Sequence, residues 1–308
     1  MVSMTPVRPI LMVLLGLAAL ASPSPYGRTQ DPPLLSARPE MTGRLPQTIA
    51  GLKRTERAMY LYERIEREES RSDPHNEKLV SVKVARVFPA GTGLDRIPLT
   101  DEGKPKDPAS YRAELDQLMN SLTWAAATGK EQTKAYDKIE KKLKEREELI
   151  DTTRNAFLFT FLGREMRQGQ PLLKFHMDPN PAFKPTNRNA SFLSKVKGTV
   201  WIDESASQLA RIEGEVTDDI SFGIFLGKIY KGSTFMQDRY PTPEGVWLPS
   251  YSQYDFDGRK LFSSVSIHQK TFYKDYRRVG PPLEAIPLVR VEIAQLDGQA
   301  QATQADPK

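Results

Sequence analysis

Few residues in this chain have the types and spacing that reaction chemistry needs. His75, His176 and His268 are isolated from one another and have no metal-ligand spacing around them, so each is read as a surface or strand-face residue. Ser194 and Lys197 match S-x-x-K, but the companion S-D-N and K-T-G elements are missing, and the match is read as chance. Gly91 and Gly93 lack the third glycine and the following helix that would cradle a phosphate. The acid pairs Asp203–Glu204 and Asp218–Asp219 are adjacent in sequence, and neighbours on a strand point to opposite faces, so they cannot share a proton and are read as turn residues. The chain has no cysteine, which removes disulfides, thiol nucleophiles and thiolate metal sites. The expectation is a protein that is not an enzyme and carries no cofactor or metal.

The chemistry that remains is apolar binding. Phe157, Phe159 and Phe161 fall on one face of a strand, with Leu158, Thr160 and Leu162 on the other. The segment Arg167 to Gln170 makes a turn, and Leu173, Phe175 and Met177 line one face of the return strand against Lys174 and His176. Two neighbouring strands therefore present large side chains on a common face. That face is either a packed sheet-on-helix core or the wall of a cavity.

These strands lead into a meander from Lys197 to Val279, where short alternating runs are separated by turn chemistry at Asp203 to Ser207, Thr242 to Gly245 and Asp257–Gly258. Asp-Gly between apolar runs is a hairpin signal, because glycine tolerates the positive φ of the turn. Val200 and Ile202 share a face, as do Ile212 and Val216, Tyr254 and Phe256, and Val265 and Ile267, whereas Trp201 lies opposite Val200 and Ile202. Between strands, Ile220 to Gly227 is apolar and flanked by glycines, and it reads as a buried turn or as a mobile flap carrying Phe222 and Phe225.

Gly198 to Asp203 (GTVWID), Leu209 to Ile212 (LARI), Gly227 to Gly232 (GKIYKG) with Phe235, Val246 to Pro249 (VWLP) and Phe256 to Arg259 (FDGR) resemble the C-terminal half of the LolA-like periplasmic proteins, above all the secreted branch labelled outer membrane lipoprotein-sorting protein. The resemblance covers residues 45–280 and is most specific in the last third. It implies an α+β, mainly β fold, an antiparallel half-barrel sheet over short helices that encloses an apolar cavity. In carrier members of the family that cavity takes up acyl chains. The ligand-facing residues implied here are Phe157, Phe159, Phe161, Leu173, Phe175, Met177, Phe222 and Phe225.

The chain begins with the features of a secretory signal over residues 1–21. Arg8 supplies positive charge, Ile10 to Leu20 an apolar run too short to span a bilayer, and Ala19 to Ala21 a small-x-small cleavage pattern. Export to the periplasm follows. The prolines of residues 22–44 suggest a disordered leader, and a single domain is expected over 45–280. Leu45, Ile49 and Leu52 suit a short helix; the run Arg57 to Glu66 fits a helix or a strand by period, and the resemblance, with the strand preference of tyrosine, implies a strand; Val80, Val82 and Val84 make a second strand paired with it.

Residues 104–151 depart from the compact LolA-like pattern. Asp107 before Pro108 is a cap followed by proline at the first helical position, and Tyr111, Leu115, Leu118 and Leu122 form one apolar stripe. Thr128 and Glu131 have capping-box spacing, and Tyr136, Ile139, Leu143 and Ile150 form a second stripe. An inserted helical hairpin is expected. Beyond residue 280 the Pro281–Pro282 pair should break the sheet, with an edge strand at Val289 to Ile293 and a disordered tail to residue 308.

The 44 basic and 39 acidic residues give a formal charge of +5 and are interspersed. No basic block stands apart, so nucleic acid is not an expected partner; a weak attraction to anionic headgroups is compatible with the charge. Two functional classes remain: a periplasmic carrier or sensor that binds lipid or the acyl chains of a lipoprotein, and an envelope structural or regulatory module that contacts another protein and keeps its interior filled.

Overall fold

The computed structural model of the chain describes residues 41–73, 78–101, 103–185, 188–221, 227–260 and 263–305. Along the chain these form α1 (Met41–Ala58), β1 (Tyr62–Arg71), β2 (Leu79–Pro89), β3 (Leu94–Pro98), β4 (Thr100–Asp101) and β5 (Lys104–Pro105). The helices α2 (Pro108–Ala126) and α3 (Lys130–Ala156) follow, then β6 (Phe157–Arg167), β7 (Gln170–Pro179) and a 3-10 helix (Arg188–Lys195). The meander comprises β8 (Val196–Asp203), β9 (Leu209–Val216), β10 (Ile220–Ser221), β11 (Lys228–Ile229), β12 (Thr234–Pro241), β13 (Trp247–Lys260) and β14 (Ser263–Arg278), and the helix α4 (Pro282–Ala305) comes last. The α+β class with a dominant antiparallel sheet is as the sequence predicts. Twelve strands belong to the main sheet, which is open, while β4 and β5 pair separately.

Two compact units divide the chain, each assembled from separate stretches. Among the described residues, the first takes those within 41–54, 71–73 and 146–270, and the second those within 55–70, 78–145 and 271–305. In the first unit the strands follow the order β13-β12-β9-β8-β7-β6, with the short β11 also paired to β13. In the second unit the order is β3-β2-β1 followed by the second half of β14, residues 271–278.

The core of the first unit is one apolar face. Alternation sends Leu173, Phe175 and Met177 of β7, Val200 and Ile202 of β8, Ile212 of β9, Phe235 of β12 and Tyr254 and Phe256 of β13 to the same side. Against it lie Met41, Leu45, Ile49 and Leu52 of α1, spaced for one helical stripe, and Phe192 and Leu193 of the 3-10 helix. Trp201, on the opposite face as expected, joins Leu172, Ala210 and Trp247 in a small cluster of its own.

In the second unit the predicted stripe Leu115, Leu118 and Leu122 of α2 is fully buried, together with Phe88, Ile97 and, from α4, Ala285 and Val289. The cap is also as read from sequence: the Asp107 side chain accepts a hydrogen bond from the Ser110 N–H at 2.9 Å. The capping box is not formed at its expected place, since α3 starts at Lys130 and Glu131 turns instead to Lys134, 2.9 Å away.

Several boundaries differ from expectation, each for a tertiary reason. Met41 to Arg44, placed in the leader by their proline-rich surroundings, are the first turn of α1. Met41 is in the core, and Arg44 donates to the Glu204 carbonyl at 2.8 Å. The strand expected from Arg57 begins only at Tyr62, because the helical spacing of buried Leu52, Thr55 and Ala58 carries α1 to Ala58. Residues 282–305 form α4 rather than an edge strand and a disordered tail, since Ala285, Val289 and the half-buried Ile286 and Ile293 find an apolar surface that the local sequence does not reveal.

Asp257–Gly258 lies inside β13 and makes no hairpin turn. Gly258 is opposite Ile229 of β11, and a Cβ there would sit 2.1 Å from the Lys228 carbonyl oxygen. This glycine serves close backbone approach instead of a turn. The other two turns are where expected: the Asp203 carboxylate accepts from the Ser205 and Ala206 N–H groups, and Gly245 has a φ of 77° with its N–H bonded to the Thr242 carbonyl. The signal-like segment 1–21, the leader to residue 40, His75 and the apolar segment 222–226 fall outside the described residues.

Candidate functional site

The candidate ligand face is built by the β6–β7 hairpin. Its register sets Phe159 opposite Met177 and Phe161 opposite Phe175, then shifts at Gly163 so that Arg164 faces Leu173. The ring centroids of Phe161 and Phe175 are 5.5 Å apart in an edge-to-face arrangement. All six predicted residues of the hairpin belong to the first unit's apolar cluster, but not equally. Phe157, Leu173, Phe175 and Met177 are buried, while Phe159 and Phe161 are half-buried at its margin. Phe222 and Phe225 lie outside the described residues.

The difference follows from strand order. β7 has β6 on one side and β8 on the other, whereas β6 is the last strand in the order. Its opposite face is exposed as well, with Leu158 at 52% and Leu162 at 54%, and beyond the register shift Met166, opposite Pro171 and so on the side of Leu173, is 68% exposed. The alternation of β6 is therefore apolar on both faces, which for an end strand leaves aromatic and aliphatic groups at the surface. On the same outer face of the hairpin, Trp201 donates from Nε1 to Glu165 at 2.9 Å, and its ring lies between Lys174 and Arg211, 4.9 and 5.5 Å from the centroid.

The residues considered for reaction chemistry are held in structural pairs. His176 Nε2 is 3.1 Å from the Asp178 carboxylate, and buried His268 has Asp255 at 3.3 Å from Nδ1. The Asp255 carboxylate accepts a hydrogen bond from Arg71 at 2.7 Å, whereas the His268 Nδ1 makes none among the described residues. Asp218 pairs with Lys195 and Asp219 with Lys228, and these hydrogen bonds hold both carboxyls below their ordinary range. Ser194 donates to the Ser191 carbonyl, and Lys197 pairs with Glu215. Among the described residues no group of three or more His, Cys, Asp or Glu could hold a metal ion.

One polar constellation is absent from the sequence reading. In the second unit Arg86 of β2 donates from Nε to Glu63 of β1 at 2.7 Å and from Nη1 to both oxygens of Glu292 of α4 at 2.8 and 2.9 Å. Tyr111 of α2 accepts from the same Nη1 and donates to Glu292, both at 2.8 Å. Arg277 of β14 donates to the remaining oxygen of Glu63. Burial pulls the Arg86 guanidinium toward a lower pKa, but the fields of Glu63, Tyr111 and Glu292 outweigh it and the net shift is upward. Burial likewise pushes the Tyr111 phenol up. The five residues come from five elements spread over more than two hundred positions, so no local spacing could have signalled them.

No family model and no curated protein matches the sequence. Among solved structures, a putative outer membrane lipoprotein-sorting protein domain from Vibrio parahaemolyticus is 12% identical, with a TM-score of 0.30 over 76% of this chain and 93% of that one. A LolA-superfamily protein from Nitrosomonas europaea is 7% identical, with a TM-score of 0.29 over 77% and 92%. A DUF1329-family protein from Desulfovibrio piger is 8% identical, with a TM-score of 0.23 over 75% and 93%. The chain is thus similar, at low identity, to lipoprotein-sorting and LolA-superfamily structures.

Proposed function

We propose that the protein is a periplasmic carrier or sensor that binds lipid or the acyl chains of a lipoprotein on the apolar face of β6 and β7, and that it acts by binding rather than by catalysis. The observation that carries this reading is the graded exposure of one aromatic row: Phe159 and Phe161 stand half-open on the last strand of the order, next to the buried Phe175 and Met177. An acyl chain would enter along Phe159 and Phe161 and part the side chains behind them, with flexible Met177 yielding most easily. Each buried methylene is worth ~0.8 kcal/mol, so a chain of about fourteen carbons would supply ~10 kcal/mol before ordering costs. The resemblance of the Gly198 to Asp203 block and its neighbours points the same way, and the signal-like residues 1–21 suit export. None of the described helices is long and apolar enough to cross a membrane.

A second reading rests on the other half of the same gradient. Phe157, Leu173, Phe175 and Met177 are packed, with Leu45, Ile49 and Leu52 of α1 in the same cluster, as in a filled interior. In that case the protein is an envelope module that contacts another protein and takes up no lipid. Calorimetric titration with an acyl-chain probe separates the two. Uptake gives a negative heat-capacity change, and Phe159→Arg abolishes it by setting an unpaired cation against the chain, while circular dichroism reports whether the variant is folded. A folded wild type that binds no fatty acid, phospholipid or acylated peptide, and that shows no co-purifying lipid by native mass spectrometry, overturns the carrier reading in favour of the module.

A further inference from the structure

The polar network of the second unit forms the floor of a cleft of about 580 Å³, a size usual for small-molecule sites. Glu63, Arg86, Tyr111, Arg277 and Glu292 line it on the polar side, and Ile65, Leu99, Leu288 and Val291 on the apolar side. Both oxygens of Glu63 are taken, one by Arg86 and one by Arg277. Both oxygens of Glu292 accept from Arg86. The Arg86 guanidinium in turn uses all three of its nitrogens, on Glu63, Glu292 and Tyr111. The two carboxylates and two guanidiniums cancel in formal charge, and the acceptors are spent.

What the cleft still offers is donors. Arg277 is held through Nε alone, its two terminal nitrogens have no partner among the described residues, and its side chain is 55% exposed. The amide of Gln295, also on the cleft wall, has no hydrogen-bond partner among the described residues. Glu63 anchors Arg277 and is itself fixed by Arg86, so the guanidinium is oriented before any ligand arrives. Above it, Leu288 and Val291 of α4 present an exposed apolar rim, Val291 at 58%.

We infer that this cleft is a binding site for an amphipathic monocarboxylate, with the carboxylate on the terminal nitrogens of Arg277 and the apolar body along Leu288, Val291, Leu99 and Ile65. The planar fork of a guanidinium matches a carboxylate. The four charges of the floor cancel only with Arg277 counted, so its two spare terminal nitrogens suit a singly charged carboxylate and not the two charges of a phosphate monoester, and the apolar wall excludes a bare ion as the preferred occupant. This site lies wholly within the second unit and is independent of the acyl-chain face of the first.

The test is calorimetric titration of the full chain with octanoate, octanol and inorganic phosphate. Octanoate binds, and octanol and phosphate bind weakly or not at all. Arg277→Gln weakens octanoate binding by roughly ten- to a hundredfold, the loss expected for hydrogen bonds to a charged group. Val291→Asp, a change at an exposed helix position, weakens it in the same direction by placing a like charge beside the apolar body, and it decides the matter should Arg277→Gln fail to fold. Failure of octanoate to bind the wild type overturns the proposal. So does equal binding of octanol or phosphate, or binding unaltered in the folded variants. Octanoate binding that is lost with Phe159→Arg and kept with Arg277→Gln assigns the ligand to the first unit and also overturns it, whatever becomes of long-chain uptake.

Discussion

The interior of the first unit and the cleft of the second solve burial in opposite ways. The first is a continuous apolar face in which Leu173, Phe175, Ile202, Ile212 and Phe235 are all but inaccessible. The second sets a guanidinium among two carboxylates and a phenol, beside a smaller apolar cluster around Phe88 and Leu118. Packing in the first is non-directional and tolerates rearrangement toward a ligand of similar apolar character. The network in the second is directional, since each member is satisfied only in one geometry, and it fixes α2, α4, β1 and β2 in a defined register. An adaptable face and a rigid cleft suit different ligands: a chain without fixed shape in one, a charged headgroup at a set position in the other.

The contrast is broken most severely by emptying the apolar face. Phe175→Ala should cost ~3–5 kcal/mol through lost burial and the cavity left behind, measured as a shift in the denaturant midpoint. A loss below ~1 kcal/mol would mean that the face is loosely filled already, which favours the carrier reading. Glu63→Ala comes next at about 3 kcal/mol, because it strips one carboxylate from Arg86 and, among the described residues, the only carboxylate from Arg277. The loss should shrink in the double variant Glu63→Ala/Arg86→Met, since replacing a buried ion pair by apolar groups is far less costly than orphaning one partner.

Gly258→Ala tests a smaller feature of the first unit. A Cβ against the Lys228 carbonyl should push β11 away from β13 at a cost of ~1–3 kcal/mol, seen as faster amide exchange at Ile229. An unchanged exchange rate would show that β11 has room to shift. The smallest effect is electrostatic. Burial, opposed by Arg71 and aided by Asp255, pushes the Tyr251 phenol up from 10.0 to about 12. A folded-state pKa above the unfolded one contributes stability that is fully present below pH 10 and is lost as pH rises through about 12. A phenolate absorbance titration should therefore contain a late-titrating tyrosine that Tyr251→Phe removes, and a titration curve unaltered in its late phase by the substitution would contradict this.

Much of the strand pattern was legible because it is local. Alternation placed Phe159, Phe161, Phe175 and Met177 on one face, and Asp203, Gly245 and the Arg167 to Gln170 turn ended their strands where expected. The stripe of α2 and its Asp107 cap were equally plain, since period and capping depend on residues three and four apart. Which strand stands last was not legible. Strand order depends on pairing between distant segments, so the half-open state of Phe159 against the burial of Phe175 had no signature in either strand.

The sequence by itself determined the secondary-structure periods, two of the three turns in the meander, the faces of the sheet and the poverty of local catalytic motifs, because each depends on neighbours within a few residues. Only the tertiary structure decided that Gly258 serves a close approach and not a turn, that residues 282–305 are a helix, and that Glu63, Arg86, Tyr111, Arg277 and Glu292 meet. Each of those depends on what a residue encounters across the fold. An amphipathic stripe becomes a helix when an apolar surface receives it, and a charge becomes part of a site when partners from other elements arrive within hydrogen-bonding distance.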